Sequence, residues 1–267
     1  MEYLIIILSG FLGGILAGLY GIGGGVIFTI LIYHYFNYYS IEPESISLLI
    51  IANSLACIFF STLGATIKNI QLNTFYLKQV LLTSIPATIV LMVTFFGVVN
   101  SNWFSITVFD IVILSLMMFM LIKSLFDTFV RSNDQDHISP LKNIATGIAG
   151  GVTAALSGFG GGVVMVPLMN AVFKLKYKKS KNISIGVIFI MVTVLTSLNL
   201  IQPSIQENFI GNIHYKLVIM ISIGSMIGAY AATHFSHKLS NRYNKKLYIG
   251  FLVLFISWKI GDLWGLF

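Results

Sequence analysis

Eight long apolar segments constrain this 267-residue chain more than any other feature. A helix needs about 20 apolar residues to cross the hydrocarbon core of a bilayer, and such segments occupy residues 3–35, 45–67, 75–99, 103–126, 143–173, 182–202, 213–235 and 247–267. Only 9% of the residues are charged, against about 25% in soluble domains. The sequence therefore predicts an all-α integral membrane protein in a lipid bilayer, and it excludes a soluble enzyme or binding module.

The excess of basic residues does not indicate nucleic-acid binding. The net charge is +7, but the basic clusters lack the interleaved exposed aromatic residues of a nucleic-acid platform. The single cysteine, Cys57, lies in an apolar run and predicts no disulfide framework. The histidines lack metal-ligand spacing, so we expect neither a metal nor another cofactor.

The first and fifth segments repeat one another. Residues 10–31 and 147–168 align without gaps and are identical at 11 of 22 positions, and glycine clusters, Gly21 to Gly25 and Gly158 to Gly162, interrupt both. The only strongly polar stretch, 127–142, separates the two halves. The sequence therefore predicts an internal duplication with a first membrane repeat at 1–126, a polar cytoplasmic linker at 127–142 and a second membrane repeat at 143–267.

The basic residues predict how the two repeats lie in the membrane. Of the 16 Lys and Arg residues, 14 fall in four regions: 68–78, 123–142, 174–181 and 236–246. If the first and fifth segments are glycine-broken hairpins that return to the side they came from, all 14 basic residues lie on one face of the membrane. This agrees with the excess of Lys and Arg in cytoplasmic loops. Three further crossings per half then make the second repeat inverted, a plan common among secondary transporters. We expect a multi-pass protein of the cytoplasmic membrane. Parity leaves open whether the hairpins stop midway or cross fully.

The glycine clusters are the strongest candidates for a binding site. A broken helix leaves backbone groups unpaired, which at membrane depth requires burial in protein or a watery cavity. The second arm of each hairpin would begin near Gly24 or Gly161, and its N–H groups and positive dipole end suit an anion. The predicted substrate-binding glycines are Gly21, Gly23, Gly24, Gly25, Gly158, Gly160, Gly161 and Gly162. The outer glycines, spaced four apart from Gly10 and from Gly147, predict close helix packing instead.

These paired motifs, together with the length, the eight segments and the polar midpoint, resemble the TauE/SafE family of sulfite-exporter-like permeases. The resemblance covers nearly the whole chain, and it implies transport of a small anion such as sulfite, a sulfonate, a sulfoacetate-like compound or a carboxylate. Asn53 and Ser54 are similar to the family's small-polar signature, whereas segment six offers polar residues in no fixed register. We expect Asn53, Ser54, Thr196 and Ser197 to assist substrate binding, although such residues also hold helices together.

Asp110 is the only acidic residue well inside a predicted span. Intramembrane acids are costly and tend to mark ion pathways. Asp110 is therefore the candidate for coupling transport to H⁺ or Na⁺. A structural carboxyl group, protonated or hydrogen-bonded, is the alternative.

The favoured hypothesis is a secondary-active transporter rather than an enzyme. An anion channel of the same architecture and a membrane subunit that needs partners are alternatives. An intramembrane serine hydrolase would use Ser157, with His214 or His234 as its base. The repeat partner of Ser157 is Tyr20, so the serine is not part of the repeated pattern, whereas the glycines are. A motif present in both halves fits a two-sided transport pathway better than a single nucleophile.

Overall fold

The protein is mostly helical. The computed structural model describes residues 2–39, 46–101, 104–126, 139–204 and 207–236, together with five isolated positions from Gly250 to Gly261. The elements in chain order are α1 (Glu2–Tyr20), α2 (Gly25–Tyr38), α3 (Ile46–Gln71), α4 (Leu77–Thr94), α5 (Ile106–Phe126), α6 (Pro140–Ser157), α7 (Gly162–Pro167), α8 (Tyr177–Leu200), β1 (Phe209–Ile210), β2 (Ile213–His214) and α9 (Tyr215–Ser236). Short π-helices, Phe95–Val99 and Leu168–Val172, extend α4 and α7.

Five helices in the described part of the chain are long and apolar enough to cross a membrane: Tyr3–Tyr20, Ile46–Gln71, Leu77–Val99, Tyr177–Leu200 and Tyr215–Ser236. The first and fifth predicted segments are each divided into two helices at their glycine clusters. The predicted segment 247–267 lies almost wholly outside the described residues, as does 127–138 of the predicted linker.

Small residues bring the helices together, as the spacing of the outer glycines predicts. A Cβ on Gly10 or Gly14 of α1 would collide with the backbone of Ile221 or Ser225 on α9. Likewise, a Cβ on Gly147 or Gly151 of α6 would collide with the backbone of α4. Close backbone approach of this kind increases van der Waals contact between helices, which matters in lipid because the hydrophobic effect does not drive helix association there.

Helix α3 lies at the centre of the fold and runs antiparallel to α8. In the first half of α3, Asn53 donates to the carbonyl of Asn212 (2.9 Å), and Asn212 donates to the Asn199 side chain near the end of α8 (2.8 Å). Beyond the other end of α3, the carbonyl of Thr74 accepts a hydrogen bond from Asn182 near the start of α8 (3.4 Å). These contacts fix opposite directions for the two helices.

The bundle has two chemically different ends. At the basic end, Lys68 lies over the Tyr230 ring (4.8 Å), Lys142 over the Phe173 ring (5.3 Å) and Lys179 over the Tyr76 ring (4.7 Å). At the opposite end, here the β-hairpin end, β1 pairs with β2 through Phe209–His214 and Ile210–Ile213. Lysines of three of the four basic regions, 68–78, 123–142 and 174–181, are thus found at the basic end.

Each glycine-broken pair of helices returns to the end from which it came. Tyr3 at the start of α1 and Tyr35 near the end of α2 line the same cavity at the β-hairpin end. Lys142 at the start of α6 contacts Phe173, which follows α7 and its π-helix at the basic end. The two helical hairpins therefore enter the bundle from opposite ends.

Candidate functional site

The two helix breaks occur where the glycine clusters predict them. Helix α2 begins at Gly25 after Gly24 (φ 80°), and α7 begins at Gly162 after Gly161 (φ 76°). This left-handed conformation costs an L-residue about 1–2 kcal/mol, but glycine has no Cβ and adopts it freely. The chain can therefore turn sharply at both places and start a new helix with its N-terminus inside the protein.

The two breaks contact each other reciprocally. A Cβ on Gly25 would lie 2.5 Å from the carbonyl oxygen of Gly158, and a Cβ on Gly162 would collide with the carbonyl oxygen of Gly21. The residues in each contact are related by the same offset of 137 positions that aligns the repeated segments. The first hairpin thus meets the second through equivalent backbone groups.

Serine hydroxyls hold the carbonyl groups of both breaks. Ser54 on α3 donates to the carbonyl of Gly158 (2.8 Å), and Ser184 on α8 donates to the carbonyl of Gly21 (2.9 Å). Ser61 donates to the carbonyl of Gly23 (2.8 Å). The contacts of Ser54 and Ser184 are matched across the two halves, so α3 and α8 support the breaks in equivalent ways.

The breaks lie near the middle of α3, and each contains buried main-chain N–H groups that make no hydrogen bond within the described residues. Ser54 is about 12 Å along α3 from Ile46, and Ser61 is about 15 Å before Gln71. No hydrogen bond between described residues uses the N–H of Gly23, Gly24, Gly25, Gly160, Gly161 or Gly162, and all six are buried. Buried N–H groups are normally paired. Two sets of buried main-chain donors therefore lie at the starts of α2 and α7, where the two breaks contact each other, and such helix N-termini suit an anion.

Asn53 has a different environment from its neighbour Ser54. Its amide donates to the carbonyls of Leu49 (2.8 Å) and Asn212 (2.9 Å), and its oxygen accepts the N–H of His214 (2.7 Å). The side chain is fully buried. Asn53 thus ties α3 to the segment between β1 and α9, and these protein groups use both of its donors.

The other predicted side chains lie apart from the breaks. Thr196 and Ser197 are about 18 Å along α8 from Ser184; Ser197 is exposed and donates to the carbonyl of Thr193 (2.9 Å). Asp110 is buried in the second turn of α5, a helix that packs against α3 and α6. None of the atoms nearest to the glycines of the breaks belongs to these three residues.

Three residues at the breaks were not among the predicted substrate-binding residues. Ser184 stood among the unassigned polar residues of segment six, and only its contact with Gly21 fixes its register. The predicted set also contains neither Ser61 nor Thr29, whose hydroxyl donates to Ser54 (3.0 Å). Each of these hydroxyls lies within an apolar stretch of its helix, and this is the signal that could have identified them.

A cavity of about 520 Å³ opens at the β-hairpin end. Its lining combines aromatic and charged side chains, among them Tyr35, Tyr39, Glu207, His214 and Lys216. The Nδ1 atom of His214 accepts the N–H of Leu217 (3.2 Å) and caps α9. Burial among aromatic rings lowers the pKa of His214 below its usual value of 6.5, so the neutral imidazole is favoured near neutral pH.

The environment of Ser157 does not resemble that of a nucleophile. Its hydroxyl donates to the carbonyl of Thr153 (2.7 Å) and accepts the N–H of Phe159 (3.1 Å). His214, one predicted base, caps α9 at the β-hairpin end. Within the described residues, no group of three His, Cys, Asp or Glu side chains is placed to hold a metal ion.

Comparison with known proteins identifies the family. The family model described as "Sulfite exporter TauE/SafE" matches residues 6–258. The chain belongs to this family. It is also 27% identical, over 98% of its length and 94% of the relative's, to a protein of Methanocaldococcus jannaschii described as a "probable membrane transporter protein". The TauE/SafE chain is accordingly a multi-pass membrane transporter and not an enzyme.

Proposed function

We propose that this protein is a secondary-active transporter that carries a small anion by alternating access. The observation that carries the proposal is the reciprocal contact of the two glycine breaks, Gly25 with Gly158 and Gly162 with Gly21. Each break presents a helix N-terminus, and each comes from a hairpin that enters from a different end. A site shared by two such hairpins can be opened to either side by moving one hairpin against the other.

The substrate class follows from the donors and from the family. Main-chain N–H groups around Gly23 to Gly25 and Gly160 to Gly162 would bind the oxygens of an anion, and Ser54 and Ser184 would hold the breaks in shape. A sulfur oxyanion such as sulfite, or an organic sulfonate or carboxylate such as sulfoacetate, offers several oxygens to these two sets of donors. The family description supports sulfite as the first compound to test.

The more distant predicted residues have supporting roles in this proposal. Asn53 positions the β-hairpin segment beside the pathway. Thr196, whose hydroxyl is buried without a hydrogen-bond partner among the described residues, and the exposed Ser197 would line the route towards the β-hairpin end. Asp110 would take up the coupling ion, H⁺ or Na⁺, because a buried carboxyl group can bind either one.

The architecture proposed for this mechanism consists of two inverted repeats with eight apolar segments, 1–126 and 143–267, joined by the linker 127–142. Three features support it: the antiparallel course of α3 and α8, the equivalent packing of α1 on α9 and of α6 on α4, and the opposite directions of the hairpins. The protein would lie in the cytoplasmic membrane with its basic end facing the cytoplasm, in line with the bias of basic residues towards that side.

Uptake of radiolabelled sulfite into proteoliposomes tests the proposal. Purified protein should give saturable uptake, and liposomes preloaded with unlabelled sulfite should accumulate label transiently above its equilibrium level. This counterflow requires a carrier that exchanges substrate, so a channel of the same architecture would equilibrate the label without an overshoot. Uptake no faster than in protein-free liposomes, with sulfite and with sulfoacetate, would contradict the proposed function.

A further inference from the structure

Lys181 is a buried lysine whose hydrogen-bond partners among the described residues are neutral. It lies in the second turn of α8 and is 2% exposed. Its ammonium donates to the carbonyl of Gly18 (3.1 Å) and to the hydroxyl of Ser236 (2.7 Å). Two of its three protons are thus used, and the third has no acceptor among the described residues. Fully buried lysines are rare unless they are paired with an opposite charge.

This lysine packs directly against the first glycine break. A Cβ on Gly21 would lie 2.7 Å from Cγ of Lys181. Ser184, less than one turn further along α8, donates to the carbonyl of the same glycine (2.9 Å). Lys181 therefore lies between the basic end and the break, on the face of α8 that supports the break.

The corresponding position in the first half is apolar. Ser54 and Ser184, which make matched contacts, are 130 positions apart, and so are Ile58 and Ile188, which both pack against Gly160. The same offset relates Lys181 to Ile51, and the Cα of Ile51 would lie 3.3 Å from a Cβ on Gly158. Two otherwise equivalent supports thus differ by one positive charge, found only on the side of the basic end.

We propose that Lys181 is an anion-binding residue, whose ammonium meets the substrate where it passes between the basic end and the glycine breaks. The inference rests on the proposed function. An anion supplies a negatively charged acceptor for the third proton, which has no acceptor in the part of the chain that the structure describes. Charge-assisted hydrogen bonds of this kind are stronger than neutral ones. The competing role is purely structural, a cap on the last carbonyl groups of α1 through Gly18.

The dependence of sulfite uptake on sulfite concentration separates these roles. Lys181→Gln should raise the KM for radiolabelled sulfite in proteoliposomes about tenfold or more, as loss of a charged hydrogen bond does. Lys181→Arg should stay within about threefold, because it keeps the positive charge. The control is Lys174→Gln, which removes an exposed charge from the basic end and should leave KM unchanged. At equal concentration, sulfite should also raise the Tm of detergent-purified wild-type protein more than that of Lys181→Gln.

Lys181→Met provides a second variant if Lys181→Gln does not fold, since Met fills similar volume and introduces no polar group of its own. A wild-type KM in either variant, with a normal sulfite-induced rise in Tm, would overturn the inference and leave Lys181 as a helix cap. Lower thermal stability alone would support the cap. Absence of sulfite uptake by the wild-type protein is a different result, because it contradicts the proposed function itself.

Discussion

Gly25 packs so closely on the carbonyl group of Gly158 that a Cβ at its position would collide with it. A Cβ there would lie 2.5 Å from the carbonyl oxygen of Gly158 and 2.6 Å from the Cα of Phe159. The equivalent contact joins Gly162 to Gly21. The two halves of the protein thus meet through backbone atoms at the point where both chains interrupt a helix. Changes at this contact are expected to affect transport before they affect membrane insertion.

Alanine at either contact glycine should disable the transporter. We expect Gly25→Ala and Gly162→Ala each to lower the initial rate of sulfite uptake at least tenfold, because the hairpins must move apart. Overpacking of this kind costs about 1–3 kcal/mol, so the Tm should fall as well. The control is Gly97→Ala, since nothing lies within 4 Å of a Cβ at Gly97. Wild-type uptake in both contact variants would show that the breaks do not need to meet.

The two serine hydroxyls that hold the matched glycine carbonyls should both contribute to stability. Ser54→Ala and Ser184→Ala each remove a hydrogen bond to a buried glycine carbonyl, and each should lower the free energy of unfolding by about 1 kcal/mol. Thermal unfolding in detergent measures the effect. Ser197→Ala, at an exposed position, should change stability by less than about 0.5 kcal/mol. If only one of the two buried serines matters, the supports are not equivalent.

The capping histidine predicts a loss of stability in mild acid. Burial lowers the pKa of His214 in the folded protein, so the unfolded chain binds more protons once the pH falls below about 6.5. The stability contributed by neutral His214 is therefore full above that pH and is lost as the pH falls towards the folded-state pKa. Asn at this position keeps a cap but does not titrate.

Thermal unfolding between pH 7.5 and 5.5 tests this expectation. The decrease in Tm over that range should be smaller in His214→Asn than in the wild-type protein, even though the variant loses aromatic contacts with Tyr35 and Phe209. An identical pH dependence in the two proteins would assign the acid sensitivity to other groups.

The charge difference between the two ends predicts their sidedness. Cys57 is the only cysteine and is buried, so an introduced cysteine can be labelled selectively. A membrane-impermeant maleimide should label Ser204→Cys, near the β-hairpin end, in intact cells. It should label Lys174→Cys, at the basic end, only after the membrane is opened. The reverse pattern would place the basic end outside and contradict the orientation.

The positions of the helices could be predicted because they depend on local properties. Apolar length defines a span, and clustered glycines define a break. The structure starts α2 and α7 within one residue of Gly24 and Gly161 for this reason. The packing of the outer glycines was also predictable, since their spacing alone places them on one helix face.

The side-chain environment of the site could not be predicted, because it depends on the register of helices far apart in the chain. Ser184 and Ser197 look alike in the sequence, but only Ser184 contacts a break. Lys181 belongs to a run of lysines typical of a solvated loop, although α8 already begins at Tyr177 and its course buries Lys181 together with Lys179. Asn53 and Ser54 are neighbours, but Ser54 contacts a glycine break whereas Asn53 contacts the β-hairpin segment. This short β-hairpin has no clear signal in the sequence.

Equilibrium binding of radiolabelled sulfite to the detergent-purified protein tests most directly whether the two breaks form one site. We predict about one bound sulfite per chain, lost in Gly24→Ala and equally in Gly161→Ala, because alanine at either left-handed position distorts donors that both halves share. The Gly97→Ala variant should bind like the wild-type protein. Two bound sulfites per chain, or binding that survives either substitution at the breaks, would contradict a single shared site.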